Sequence, residues 1–185
     1  MDISGYPEYV DWRERGAVNA VQDQGTCNSC WAFATTAAME GAHYAAHGEL
    51  KKLSEQMMID CCYGDDCGGR SQGCHHGGCI HCALEWMQQH PQVLESDYPY
   101  LEANGTSECH REQYPQQASA MNVTIIDENS VSQMIQGLNL VTIPVGLDSE
   151  TDDFMFYHSG IFNDLNCGED VDHAVLAVGY MLPNP

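Results

Sequence analysis

Gln24-Gly25-Thr26-Cys27-Asn28-Ser29-Cys30-Trp31-Ala32-Phe33 opens a long alanine-rich apolar run. That run predicts a helix starting at or near Cys30, closed by Gly48 as a C-terminal stop after about His47. The first turn of a helix leaves backbone N–H groups without partners, and its dipole favours negative charge there. A thiol at that end loses its proton more easily, and the thiolate is the nucleophilic form. Cys30 is therefore a candidate nucleophile.

Working outward, Tyr9 to Trp12 reads as a short extended lead-in. Ser54 is placed to cap a second helix ending at Cys61, with Met57 and Met58 on its apolar side. A loop rich in Gly, Asp and Cys follows from Cys62 to Gly78. A third helix spans about Ile80 to His90 and halts at Pro91. Beyond Tyr98-Pro99-Tyr100 the texture changes. Met121 to Ile126 alternates like a strand, Ser130 to Gly137 suggests a short helix, and Val141 to Leu147 is extended. His173 to Tyr180 reads as one buried strand beginning on a histidine. Helices first and strands second argue for an α+β fold of two subdomains side by side. No internal repeat or low-complexity linker is present.

The chain of 185 residues is long enough to bury a core. It has no run of eighteen apolar residues to span a membrane. Met1 to Gly5 has neither the basic flank nor the apolar core of a secretory signal. Six basic and 27 acidic residues give a formal charge of −21. Protonating all nine histidines would leave about −12, a surface that repels nucleic acid and anionic membranes. Its plainest role is solubility; a preference for basic substrates is the other reading. Ten cysteines point to an oxidising compartment. Asn104-Gly105-Thr106 and Asn122-Val123-Thr124 are glycosylation sequons that agree with a secretory route.

The stretch around Cys30, with Pro7-Glu8-Tyr9-Val10-Asp11-Trp12-Arg13, Gly16-Ala17-Val18 and Val171-Asp172-His173-Ala174-Val175, resembles the papain family of cysteine peptidases. Asn28 stands where that family has Gly. The resemblance covers about Tyr6 to Tyr180. It implies a helical lobe of about 13–118 and a β-barrel-like lobe of about 1–12 with 119–185, incomplete at its C-terminus. The cleft between them would hold the site. His173 follows Cys30 by 143 residues, inside the family's interval. The implied roles are Cys30 as nucleophile, His173 as acid and base, and Gln24 as oxyanion donor together with the Cys30 amide. Taken alone, Gln24 would be a loop glutamine bonding its own turn. The implied activity is a cysteine endopeptidase, secreted, vacuolar or lysosomal, needing no cofactor. Its partners would be peptide or protein substrates, a propeptide or cystatin-like inhibitors, with no nucleic acid and no membrane.

The family's imidazole-orienting Asn would fall beyond Pro185, so the resemblance implies a fragment, or a separate C-terminal segment or light chain. A signal and pro-segment would likewise lie outside the chain. By the same resemblance Cys27 pairs with Cys74 and Cys61 with Cys109, and Cys167 awaits a partner in that C-terminal part. Cys62 and Cys67 resemble a small disulfide loop of the cathepsin B branch. Cys79 and Cys82 either pair or stay free, since their spacing along a helix disfavours a relaxed bridge. The gap between His90 and Tyr98 is too short for that branch's occluding loop, which favours endopeptidase activity. Gly77 and Gly78 would offer backbone hydrogen bonds to an extended peptide. Cys79, Ile80, Gly146 and Val171, with Asp172 beside them, fall near an apolar specificity pocket. Two rival readings remain: a catalytically weak fragment or inactive homologue that binds peptides or inhibitors, and a metal module in Cys74-His75-His76-Gly77-Gly78-Cys79-Ile80-His81-Cys82.

Overall fold

The computed structural model describes residues 5–69, 71, 73–102, 108–120, 122–165 and 167–182. The alanine-rich run forms helix α1, Cys30–His47, and Gly48 ends it at φ +71, returning its N–H to the Tyr44 carbonyl. Small residues let α1 pack on several sides at once. It contacts α2 (Glu55–Cys61), α3 (Ile80–Gln89) and strands β2 (Ile143–Leu147) and β3 (His173–Ala177). At Gly41 a β-carbon would come 2.1 Å from Thr142 Oγ1, so the approach of α1 to the segment leading into β2 requires glycine.

The main core lies under α1 to α3. Trp31, Leu53, Met57, Met58, Ile59, Met87 and Val93 are almost fully shielded there. Ser54 caps α2 as its sequence position implies, its hydroxyl accepting the Met57 N–H at 2.9 Å. The polar residues of α2 are bonded rather than excluded: Tyr98 Oη donates to Asp60 Oδ2 at 2.8 Å, and Gln56 Nε2 to Asp60 Oδ1 at 3.1 Å. A short 3₁₀ turn, Asp65–Cys67, interrupts the loop after α2.

The later part of the chain departs from its sequence reading in three places. The run from His173 to Tyr180 is two strands, not one. β3 pairs antiparallel with β2, Leu147 opposite His173 and Ile143 opposite Ala177. At Val178, whose carbonyl accepts the Trp12 N–H at 2.8 Å, the chain changes partners. β4 (Gly179–Met181) then pairs antiparallel with β1 (Tyr9–Asp11). A β-carbon at Gly179 would lie 2.0 Å from the Val10 carbonyl oxygen, so that change of partner needs a glycine. The run is also only half-buried, Ala174 alone in β3 being shielded, because each sheet here has just two strands. Second, 122–126 is not in a strand: no described strand pairs with it, and alternation without a ladder partner makes no sheet. Third, the short helix expected at Ser130 runs on as α4, Val131–Leu140, capped by the Ser130 hydroxyl on Gln133 N–H. A single turn, α5 (Asp152–Met155), started by Thr151, had no strong sequence signal. Among the described residues the strands form two two-stranded sheets and no closed barrel.

Candidate active site

Three separate segments converge at the head of α1. Ser29 is its N-cap residue, yet the serine side chain does not cap. Its hydroxyl lies 3.0 Å from Tyr100 Oη instead. Tyr100 Oη also donates to the Gln24 carbonyl at 2.6 Å, and the Tyr100 ring stands edge-on to Phe33 at 4.9 Å. One tyrosine thus pins both ends of the loop that precedes Cys30. The other side of that loop is tied down by the Cys27–Cys74 bridge and by Asn28, whose N–H donates to the Cys74 carbonyl at 3.1 Å. The Asn28 side-chain amide donates to the His75 carbonyl at 3.3 Å, a bond glycine there would lack.

Cys30 is the half-buried first residue of α1, and His173 is the first residue of β3. They line one cavity of about 370 Å³ with Gln24, Asn28, His76, Gly77 and Asp172. A larger cleft of about 970 Å³ continues from the same three residues, Gln24, Cys30 and His173, along β3 and the inner face of α1. Its floor holds two buried carboxylates, Glu40 and Glu55, which share Lys52. Burial pushes both above the ordinary range, Glu55 up to about 7, with Lys52 opposing.

Gln24 donates its side-chain amide to the Cys27 carbonyl at 2.9 Å, bonding its own turn. An amide carries two N–H groups, so this bond leaves one for a second acceptor. Asp172 sits beside His173 and accepts from Ser149 N–H at 2.8 Å and Ser149 Oγ at 3.2 Å. The Ser149 amide holds its carboxyl below the usual range.

Of the residues assigned to peptide binding, Gly77 and Asp172 reach the small cavity. Gly78 lies flat against Trp31, where a β-carbon would come 2.4 Å from the indole. Cys79 caps α3 and Ile80 starts it, while Gly146 in β2 abuts Val171, which is exposed. These five line neither cavity. Sequence reasoning missed Asn28, His76 and Tyr100 as neighbours of the site. Tyr100 is 76 residues from Gln24 and carries no local signal.

The bridges Cys27–Cys74, Cys61–Cys109 and Cys62–Cys67 all form, and Cys79 pairs with Cys82. The objection to that last pair came from helical spacing, but Cys79 is the extended N-cap residue, outside the helix. Cys30 and Cys167 keep free thiols. All three cysteines of the 74–82 stretch are therefore in bridges, which removes the thiolates a metal module would use. Asn122 is exposed, and the sequon at Asn104 lies outside the described residues.

A model of the papain family of cysteine proteases matches residues 6–184, and the chain belongs to that family. It is 39% identical over 185 residues to cysteine endopeptidase RepA of Oryza sativa subsp. japonica, covering 97% of this chain and 46% of the rice protein. The fold is similar to the Carica candamarcensis cysteine protease CMS1MS2 in complex with E-64, at a TM-score of 0.85 and 34% identity. That match covers 95% of this chain and 78% of the other. The bromelain protease of Ananas comosus in complex with the E64 inhibitor is similar at 0.84 and 35% identity, over 95% and 76% of the two chains. The chain spans about half the length of the curated relatives it matches. The two-lobed papain-like architecture implied by the sequence is thus the observed one.

Proposed function

We propose that the chain carries the catalytic cleft of a cysteine endopeptidase that hydrolyses extended polypeptides. The observation that carries this reading is the convergence of Cys30, His173 and Gln24 on one cavity. In the proposed sequence, Cys30 Sγ attacks the peptide carbonyl carbon. The oxygen that becomes negative accepts from the free N–H of the Gln24 amide and from the Cys30 backbone N–H. His173 gives its proton to the leaving amine, and the acyl group stays on Cys30 as a thioester. Water then attacks the thioester with His173 taking its proton, which releases the acid and restores the thiol. Gly77, at the cavity wall, offers backbone to the peptide.

The four bridges and the exposed Asn122 sequon support a vacuolar, lysosomal or secreted setting. No described helix is long and apolar enough to cross a membrane. Inhibitors as partners are supported by the two structural neighbours, each solved with E-64.

The test pairs turnover with thiol reactivity. Wild-type protein should cleave an unfolded protein, lose that activity to E-64, and alkylate at Cys30 rapidly already at about pH 5. Cys30→Ser should do none of these, and His173→Ala should alkylate slowly. Turnover retained in Cys30→Ser, or unchanged alkylation in His173→Ala, sinks the mechanism. A reactive Cys30 without turnover leaves peptide or inhibitor binding as the function of the cleft.

A further inference from the structure

Of the four bridges, Cys79–Cys82 differs in two ways that bear on its chemistry. It closes the shortest loop, with a separation of 3 against 47 and 48 for Cys27–Cys74 and Cys61–Cys109. Stabilisation through the unfolded chain grows with loop length, so this bridge holds the fold together least. Cys62–Cys67 is nearly as short, but both its cysteines are sealed in the core. Cys79 and Cys82 are only partly buried, Cys82 at the edge of the core. Cys82 N–H donates to Cys79 Sγ at 3.1 Å at the head of α3, an arrangement that stabilises a thiolate on Cys79 once the bridge opens.

We propose that Cys79-Ile80-His81-Cys82 is a thiol–disulfide exchange site for low-molecular-weight thiols, and that its state sets the firmness of the peptide-binding wall. An incoming thiolate attacks Cys82 Sγ, forms a mixed disulfide there and expels Cys79 as the thiolate. A second thiolate attacks the external sulfur of the mixed disulfide and releases Cys82. Two external thiols become one external disulfide, and the protein gains two electrons and two protons. Re-oxidation runs the same steps backwards: the Cys82 thiolate attacks the external disulfide and expels one thiolate, and the Cys79 thiolate then attacks Cys82 Sγ and expels the other.

The wiring to the cleft is short. The segment 74–79 is pinned at one end by Cys74, bridged to Cys27, and at the other by Cys79. Between the pins, Gly77 lines the Cys30 cavity and Gly78 presses on Trp31. Opening the second pin removes the covalent tie of that wall to the first turn of α3 and leaves the Ala83 N–H to Cys79 carbonyl bond, at 3.0 Å, to hold it there. This coupling rests on the protease reading, whereas the exchange chemistry does not.

The experiment equilibrates the purified oxidised chain in graded mixtures of reduced and oxidised glutathione, quenches by alkylation and maps the labels by mass spectrometry. Cys79 and Cys82 should become labelled at a thiol excess roughly tenfold smaller than any other bridged cysteine requires. Opening together with, or after, the other bridges overturns the exchange site. Opening should raise KM for a peptide roughly threefold with little change in kcat, as expected for lost uniform binding. Cys79→Ser with Cys82→Ser should show the raised KM in both oxidised and reduced buffer. A wild-type KM that stays constant while the bridge opens overturns the coupling. If no peptide is turned over, the labelling series still decides the exchange site, and only the protease reading has failed.

Discussion

Glu55 offers a sharp test of how burial sets a charge in this fold. It is the first residue of α2, 2% exposed, and its Oε1 pairs with Lys52 Nζ. Its Oε2 has no hydrogen-bond partner among the described residues. Lys52 is shared with Glu40, which it meets at 3.4 Å and which also accepts the Leu53 N–H at 2.8 Å. One cation between two buried carboxylates does not offset the loss of water, and Glu55 is pushed up to about 7. In the unfolded chain the same carboxyl titrates near 4.5. Between those two values the folded state holds a proton that the unfolded state has released. Stability therefore falls as pH rises from about 4.5 to about 7 and is level beyond, by on the order of 3 kcal/mol from this residue. Glu55→Gln keeps the shape and removes the titration. Urea unfolding of both proteins at about pH 4.5 and about pH 7.5 gives two stability gaps. Their difference should favour the variant at the higher pH by about 3 kcal/mol, whatever the offset at either pH. A difference below about 0.5 kcal/mol would mean that Glu55 is already ionised in the fold at the lower pH, and the burial argument would be wrong.

Gly179→Ala should separate β4 from β1, because the added carbon meets backbone rather than a movable side chain. A loss of more than about 2 kcal/mol is expected, and an unchanged melting temperature would refute that packing. Ser54→Ala removes the cap on Met57 N–H and the donor to the Tyr98 carbonyl at 2.5 Å. Urea unfolding should show a cost of about 1–3 kcal/mol, and a value near zero would show that the cap is dispensable. From residue 112 onward the chain has 11 acidic residues and no Lys or Arg. Asp172, beside His173, accepts the Ser149 N–H, and Asp148 accepts the N–H groups of Glu150 and Asp170. If the cleft turns over peptides, raising salt from about 10 to about 150 mM should raise KM several-fold for a lysine-rich peptide and leave a neutral one unchanged. An equal response of both peptides would remove the steering field.

Much of the helical half was legible because its signals are local. Gly48 must end α1 since it alone tolerates the left-handed turn, and Ser54 must start α2 since its hydroxyl reaches an amide three residues on. The thiol at the head of α1, the histidine that opens β3 and the papain-like architecture were legible through motifs whose residue types and spacing the chemistry constrains. The strands were less so. Alternation at Met121 to Ile126 describes a ribbon that could join a sheet, but a sheet exists only where a second strand supplies the ladder.

By itself, then, the sequence determined where α1 begins, which thiol heads it and which histidine opens the strand beside it. Only the tertiary structure decided that the His173 run splits at Val178 between two partners. It also decided that Tyr100 pins the Cys30 loop, that Cys79 bridges Cys82 from outside the helix, and that Glu40 and Glu55 share one lysine beneath the cleft. Those outcomes depend on contacts between residues remote in the chain, whose energies arise from burial and pairing that no local pattern encodes.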